Sequence, residues 1–273
     1  MIVDSHVHVV SRDRARYPLS PAGVGTGWYL EAPLPAEDFA AQMQRAGVER
    51  AVLVQAVGAY SWDNAYAADS AAADPARFAG VCAVDLGGAD PVAALEHWCG
   101  ARGMRGVRIF CISPDGSARL DSPAAAALVE RAAERGWQVV VTILPDQLEA
   151  LRALLERFPG VRVWLDHCGF PTVEPGLFDG SAPLFALARF DALSLKLSTH
   201  LLHSLGDREA QQRFARALAK HFGARRLIWG SDFPQTRGID YPEMLALARE
   251  VFSVLPAADA EWPLGRNALS LWG

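Results

Sequence analysis

The chain has 273 residues, 51% apolar and 21% charged, enough to bury one large core and too apolar for intrinsic disorder. A net charge of −5 offers no cationic surplus for a nucleic-acid backbone or a membrane surface, and no apolar run approaches the roughly 20 residues of a membrane span. Four scattered cysteines without a CxxC pair, and an opening strand pattern in place of a secretory leader, point to free thiols and a cytoplasmic protein.

In chain order, apolar strand-like runs alternate with helical stretches, the pattern of parallel βα units. Strands are expected at 2–9, 51–57, 78–84, 106–111, 138–144, 161–167, 193–198 and 227–231. Helices are expected at 36–46, 90–101, 122–135, 146–158, 208–222 and 242–252, several opening on a cap or first-turn proline such as Asp121-Ser122-Pro123. The helical pattern after the sixth strand is weak. Eight units in a chain of this length predict an α/β fold, a single (β/α)8 barrel of the TIM type. The Gly- and Pro-rich segment 10–35, with Tyr17, Trp28 and Tyr29, is expected to be a lid over the barrel mouth within one domain, 1–273.

Polar residues sit at the ends of the apolar runs. His6 and His8 alternate on the first strand, so both imidazoles face one side, roughly 7 Å apart along it. An HxH pair alone arises often by chance; its place at a strand end, after Asp4, makes it a candidate site. His167, at the end of the sixth run, reads either as a core histidine or, because Gly169 and Pro171 stop the strand there, as a group exposed at the mouth. Asp232 reads either as a helix cap or as the top of the eighth strand. In a closed barrel these four residues converge at the C-terminal mouth.

In order and spacing, DSHVHV, GMRGVRIF, WLDHCGFP, LKLSTH, IWGSDFPQT and the terminal NALSLW resemble the amidohydrolase superfamily in its amidohydrolase-related (amidohydrolase 2) branch. Within that branch the resemblance is to sugar-acid and pyrone-dicarboxylate lactonases, with resorcylate-type decarboxylases as cousins. It implies a distorted (β/α)8 barrel and carries His6, His8, His167 and Asp232 across as site residues. The chain departs from binuclear members, because its fourth and fifth strands end in Arg108-Ile109-Phe110 and Thr142-Ile143-Leu144, without a bridging lysine or glutamate. At most one divalent ion, Zn²⁺ or Mn²⁺, is therefore expected, on His6, His8 and Asp232 with His167 as a further ligand. Metal-free chemistry through the same residues is the alternative.

Arg108 offers a planar fork to a substrate carboxylate, with a structural ion pair as the bland reading. Lys196 could neutralise an interior aspartate or touch substrate, and His200 lies just past the seventh strand, where the decarboxylase cousins use a histidine in proton transfer. Asp4, Asp85 and Asp166 are expected to alternate away from the histidine face, into roles that support the site residues from behind or are purely structural. Trp28, Tyr60 and Trp62 are aromatics that could meet a ring-shaped ligand, and Cys168 should point away from the site. The reading is a hydrolase opening a lactone or related acyl bond of a small carboxylated substrate, with Asp232 as general base and the histidines polarising the carbonyl. The alternatives are a metal-dependent non-oxidative decarboxylase and a non-catalytic binding barrel. A small molecule is the expected partner, and a homo-oligomer is left open.

Overall fold

Val-, Ile- and Leu-rich runs buried on both faces form eight parallel strands, the composition expected when side chains fill a barrel and helices cover it. The computed structural model describes residues 1–21, 23 and 27–272. The strands are β1 (Val3–Val7), β2 (Arg50–Val54), β3 (Phe78–Ala83), β4 (Gly106–Phe110), β5 (Gln138–Thr142), β6 (Val163–Leu165), β7 (Leu193–Ser198) and β8 (Leu227–Gly230). They neighbour one another in sequence order. Closure runs just past β8: Asp232 N–H donates to the His6 carbonyl at 2.9 Å, and His8 N–H donates to the Phe233 carbonyl at 2.9 Å. The single-domain TIM-type barrel is as expected.

Most strands stop short of the expected ends. Val9, Val84 and Ile143 lie beyond the last ladder residue and are still buried, so their apolar character reflects packing at the mouth rather than strand pairing. The sixth run is the largest correction: β6 has only three residues, and the chain then turns through Asp166–Gly169.

Helices Ala36–Ala46 and Arg208–Phe222 have the expected bounds. Ser122 caps Pro123–Arg135 by accepting from Ala125 N–H, and Asp240 and Glu243 form a capping box at Tyr241–Phe252. The stretch expected as one helix at 90–101 is instead α-helical over Pro91–Leu95 and π-helical over Glu96–Ala101. The weak region after β6 holds only Pro175–Asp179 and a 3-10 segment, Pro183–Arg189.

The barrel floor is one apolar cluster of Val52, Val54, Val81, Val140, Trp164 and Ile228, closed by Ala268 and Leu271 of the terminal 3-10 segment Arg266–Trp272. Polar side chains share this inner face one level nearer the mouth. Arg108 is in register with Val140, Thr142 lies two residues beyond Val140, and Lys196 is in register with Ile228. Of the expected lid at 10–35, residues 22 and 24–26 lie outside the described residues. Its remaining part carries a short helix, Trp28–Glu31, whose Trp28 and Tyr29 are buried.

Candidate active site

The barrel brings His6, His8, His167 and Asp232 together. His6 Nε2 lies 3.3 Å from His8 Nε2 and 3.6 Å from Asp232 Oδ1, and His8 Nε2 lies 3.4 Å from the same oxygen. The rings of His6 and His167 are 5.0 Å apart. Two local features make this approach possible. Gly230 carries no side chain where a Cβ would fall 2.7 Å from that of His6, so β8 closes tightly on β1. Asp232 adopts a left-handed backbone (φ 58°), which turns its carboxylate inward instead of continuing the strand.

Hydrogen-bond partners fix what the cluster presents. His8 Nδ1 is 2.9 Å from the Val54 carbonyl, which can only accept, so this nitrogen carries the proton and Nε2 presents a lone pair. His6 Nδ1 faces Asp166 Oδ1 at 3.4 Å, which assigns its proton the same way. Asp232 Oδ1 is buried without a hydrogen-bond donor. Three lone pairs thus converge with no proton between them, an arrangement that calls for a cation. Ligands about 2.0–2.2 Å from a tetrahedral ion lie about 3.3–3.6 Å from one another, which the three separations match. The donor set His6, His8 and Asp232 therefore fits a divalent metal, and the carbonyl and carboxylate behind the two imidazoles are the supports such ligands use.

Burial shifts these groups further. Desolvation holds His6 well below the ordinary histidine range despite Asp166 beside it, and lowers His167 to about 4, so both rings are neutral near pH 7. Burial alone would raise the Asp232 carboxyl, but the His8 contact and the surrounding imidazoles outweigh it and keep the group ionised.

A charged network adjoins the cluster. Asp166 Oδ2 accepts from Arg108 Nε and Thr142 Oγ1, both at 2.8 Å, while Oδ1 faces Lys196 Nζ at 3.0 Å and His6. Burial would raise the Asp166 carboxyl, but Lys196, His6 and Arg108 drive it well below its usual range. This corrects the expectation that Asp166 points away. Alternation holds only while a strand continues, and β6 ends at Leu165. His167, Cys168, Gly169 and Phe170 then all adopt positive φ, and Phe170 N–H donates to the His167 carbonyl, a left-handed turn that aims His167 into the mouth. Three of the four are not glycine, so the turn stores about 3–6 kcal/mol of backbone strain that the surrounding structure must hold.

Lys196 is fully buried and reaches Asp166 from below, so the expected substrate contact is corrected: it neutralises the interior aspartate and does not line the pocket. Asp4 stays off the histidine face as expected, though it shares the parity of His6. A register shift between Asp4 and Val7 turns it toward Ser231 N–H and the Tyr241 hydroxyl, and burial raises its carboxyl to about 6. Cys168 is buried and burial pushes its thiol up, so it is no nucleophile.

Above the cluster lies a pocket of about 160 Å³. Its polar wall is His8, Arg108, Thr142, His167 and Gln235, and its aromatic wall is Trp28, Phe110 and Phe170. Trp28 stacks over His8, 6.0 Å between ring centres and 27° between planes, and donates from Nε1 to Gln235 Oε1 at 3.2 Å. The segment that carries Trp28 thus meets the loop after β8. Tyr60 and Trp62 do not line this pocket; the Tyr60 hydroxyl accepts from Ser11 N–H. His200 is exposed at the rim, 6.1 Å from the His167 ring and outside the pocket wall. A larger groove of about 770 Å³ runs beside helix Ala65–Ala73, but Arg16 and Tyr17 there already engage Asp69, as does Arg102 from outside it, and the histidine cluster is not part of it.

Ser198, Gln235, Phe110 and Phe170 are the site residues the sequence reading missed, and Asp166 is the one whose side chain it aimed the wrong way. Ser198 Oγ is 2.6 Å from His167 Nδ1 and also accepts from Leu201 N–H. A signal for Asp166 was present in its position directly before His167 in a segment punctuated by Gly169 and Pro171.

A family model described as amidohydrolase matches residues 3–273. The L-fucono-1,5-lactonase of Burkholderia ambifaria is 28% identical over 205 residues, covering 74% of this chain and 70% of that protein. The 4-sulfomuconolactone hydrolase of Rhizobium radiobacter is 29% identical over 251 residues, covering 88% and 78%. A solved structure from Pseudomonas putida, provisionally assigned as a 2-pyrone-4,6-dicarboxylic acid hydrolase, is 27% identical with a TM-score of 0.76, covering 100% of this chain and 97% of that one.

Proposed function

This chain belongs to the amidohydrolase family, and on that premise we propose that it is a lactonase, a hydrolase that opens the cyclic ester of a small carboxylated substrate. The observation that carries the reading is the convergence of three lone pairs from His6, His8 and Asp232 at the base of a pocket lined by Arg108. Both named curated relatives act on lactones, which supports the same reaction class.

One divalent ion, zinc or manganese, would be held by His6, His8 and Asp232 and would supply Lewis-acid polarisation of the lactone carbonyl. The chain's own groups do the rest. Ser198 accepts from Leu201 N–H, so its hydrogen is free for His167 Nδ1, leaving His167 Nε2–H as a donor to the developing oxyanion. Arg108 spends Nε on Asp166 and Thr142 and keeps its terminal nitrogens for the substrate carboxylate. The Asp232 carboxylate takes a proton from water as the oxygen adds to the carbonyl carbon. When the ring C–O bond breaks, the same proton returns to the departing alkoxide, and the product is the open hydroxy acid. The decarboxylase alternative, with His200 or Asp232 as its proton donor, is less well supported, since both named curated relatives act on lactones and His200 lies outside the pocket wall.

The test is metal analysis with turnover on a lactone panel before and after exhaustive chelation. The expected result is at most one ion per chain, activity lost on removal and restored by zinc or manganese. Activity that survives verified removal would make the imidazoles direct hydrogen-bond donors instead, and carbon dioxide release without ring opening would replace the lactonase with the decarboxylase.

A further inference from the structure

Seven neighbouring strand pairs in the barrel are joined by regular parallel ladders. The seam between β8 and β1 is built differently. Among the described residues its backbone pairing is the single bridge between Val7 and Phe233, with Asp232 N–H on the His6 carbonyl and His8 N–H on the Phe233 carbonyl. Below that bridge side chains take over. Ser5 Oγ donates to the Trp229 carbonyl at 2.6 Å, and one oxygen of Asp4, Oδ1, accepts from Ser231 N–H at 2.8 Å and from His6 N–H at 3.1 Å. The other oxygen, Oδ2, accepts from the Tyr241 hydroxyl at 3.1 Å, so helix Tyr241–Phe252 stops the carboxylate from turning. Asp4, Ser5 and Ser231 are all fully buried.

These contacts fall on the two segments that carry the metal donors. His6 stands on β1 with His8 just past it, and Asp232 follows Ser231 directly. Their donor atoms lie 3.3–3.6 Å apart, and a metal tolerates ligand distances only within about 0.2 Å of its preferred values. A ladder of several bonds would fix the height of one strand against the other. At this seam the Asp4 carboxylate does so, through charge-assisted bonds from one oxygen to both chains. Gly230, where a Cβ would fall 2.7 Å from that of His6, lets the chains come close enough for that oxygen to reach both.

We propose that Asp4 is a positioning residue for the metal centre: its Oδ1 clamps the backbone of His6 to that of Ser231 and thereby sets the spacing of His6 and Asp232. The proposal rests on the metal reading of His6, His8 and Asp232 and not on the lactone chemistry, so it is tested by metal binding and not by turnover. Zinc affinity is measured by competition with a chromogenic chelator, and ligand geometry by the visible spectrum of the cobalt(II)-loaded protein, at a temperature where circular dichroism shows the variants folded. Asp4→Ala removes the acceptor. Asp4→Asn keeps one oxygen for both N–H groups and turns its NH2 to the Tyr241 hydroxyl, which can accept as well as donate. Val81→Ala lowers stability at the barrel floor, away from the seam.

Asp4→Ala should lower zinc affinity about 10- to 100-fold and change the cobalt spectrum, the effect of losing a group that orients metal ligands. Asp4→Asn should restore both to within about twofold of wild type, and Val81→Ala should leave them there, because it shares no partner with the site. Should Asp4→Ala not fold, Tyr241→Phe frees Oδ2 alone, with an expected loss in zinc affinity of about threefold or more. A folded Asp4→Ala, or Tyr241→Phe in its place, that binds zinc as wild type does with an unchanged cobalt spectrum would overturn the proposal and leave Asp4 to hold the fold alone. Asp4→Asn as weak in zinc binding as Asp4→Ala would overturn it too, because charge and not the bridging oxygen would then matter. A wild-type protein that binds no zinc would remove the metal reading itself, and this proposal with it.

Discussion

Val140 and Thr142 stand two residues apart on β5, face the same side and are equally dry, yet they belong to opposite regions of the barrel interior. Val140 packs among Val52, Val54, Val81, Trp164 and Ile228 at the floor, where stability comes from apolar area removed from water, about 25 cal/mol per Å². Thr142 opens a mouth that buries Arg108, Asp166, Lys196 and three histidines. Ion pairs out of water roughly break even against apolar packing of the same volume, so the mouth adds little to stability and the floor carries it. Burial alone does not tell core from site in this molecule; the satisfaction of each polar atom does. At the mouth Asp166 shares its charge between Arg108 and Lys196, whereas Asp232 Oδ1 has no cationic side chain beside it among the described residues and faces both imidazoles.

The sharpest way to break this division is at Asp232. Asp232→Asn preserves size and one oxygen but removes the charge and the base. Lactone turnover should fall on the order of 10³-fold, about 4 kcal/mol in the barrier, while the melting temperature moves by only a few degrees. Wild-type turnover in this variant would take Asp232 out of the mechanism.

Next in size is Asp166→Ala, which leaves Arg108 and Lys196 buried without their shared carboxylate. Unfolding free energy should drop by about 3–5 kcal/mol, and adding Lys196→Met should recover a large part of it. Metal affinity should also fall about 10- to 100-fold, because Asp166 orients the His6 ring. A single variant as stable as wild type in urea unfolding would mean the network contributes no such restraint.

The pattern of what could be read from the sequence follows the same physics. His6 and His8 were legible because strand parity is a property of regular backbone, and Asp232 because it stands just past an apolar run that closes on the first strand, although its left-handed φ was not. Asp166 was not, because its side chain depends on a strand that stops one residue earlier and on a left-handed turn built mostly from non-glycine residues. Asp4 shows the same limit from the other side, since a register shift cancels the parity that would have aimed it inward. Gln235 and Phe170 sit in loops whose geometry is set by partners far away in sequence, such as the Trp28 indole, and no local pattern encodes that.

In the metal-free protein the mouth should also dominate the pH dependence of stability. His167 titrates near 4 when folded and near 6.5 when unfolded, so between these values the unfolded chain binds the extra proton. Its contribution is complete above 6.5 and is lost as pH falls toward 4, about 3 kcal/mol in all. Asp4, raised to about 6, works in the opposite sense, its contribution complete below 3.8 and lost as pH rises through 6. His167 and Asp4 nearly offset each other between pH 4 and 7, and His6, lowered in the same sense as His167, adds to the rise, so urea unfolding should show stability rising with pH, more steeply in Asp4→Asn. A flat profile in both proteins would contradict the neutral, desolvated state assigned to His167.

The smallest effect is the most exacting test of the division, because it is made where floor and mouth touch. Ile228 belongs to the floor cluster but is in register with Lys196, one strand away from the charged network. Ile228→Val removes one methylene, and the neighbours can relax only partly around the space, so the expected loss is about 0.5–1.5 kcal/mol. If floor and mouth are energetically separate, kcat/KM on the preferred lactone and the metal content should stay within about twofold of wild type, since contacts that do not share partners act additively. A fall of tenfold or more in kcat/KM at that modest stability cost would show that Lys196, and through it Asp166 and His6, takes its position from the packing beneath. The floor would then be part of the catalytic apparatus, and the contrast between Val140 and Thr142 would be one of degree.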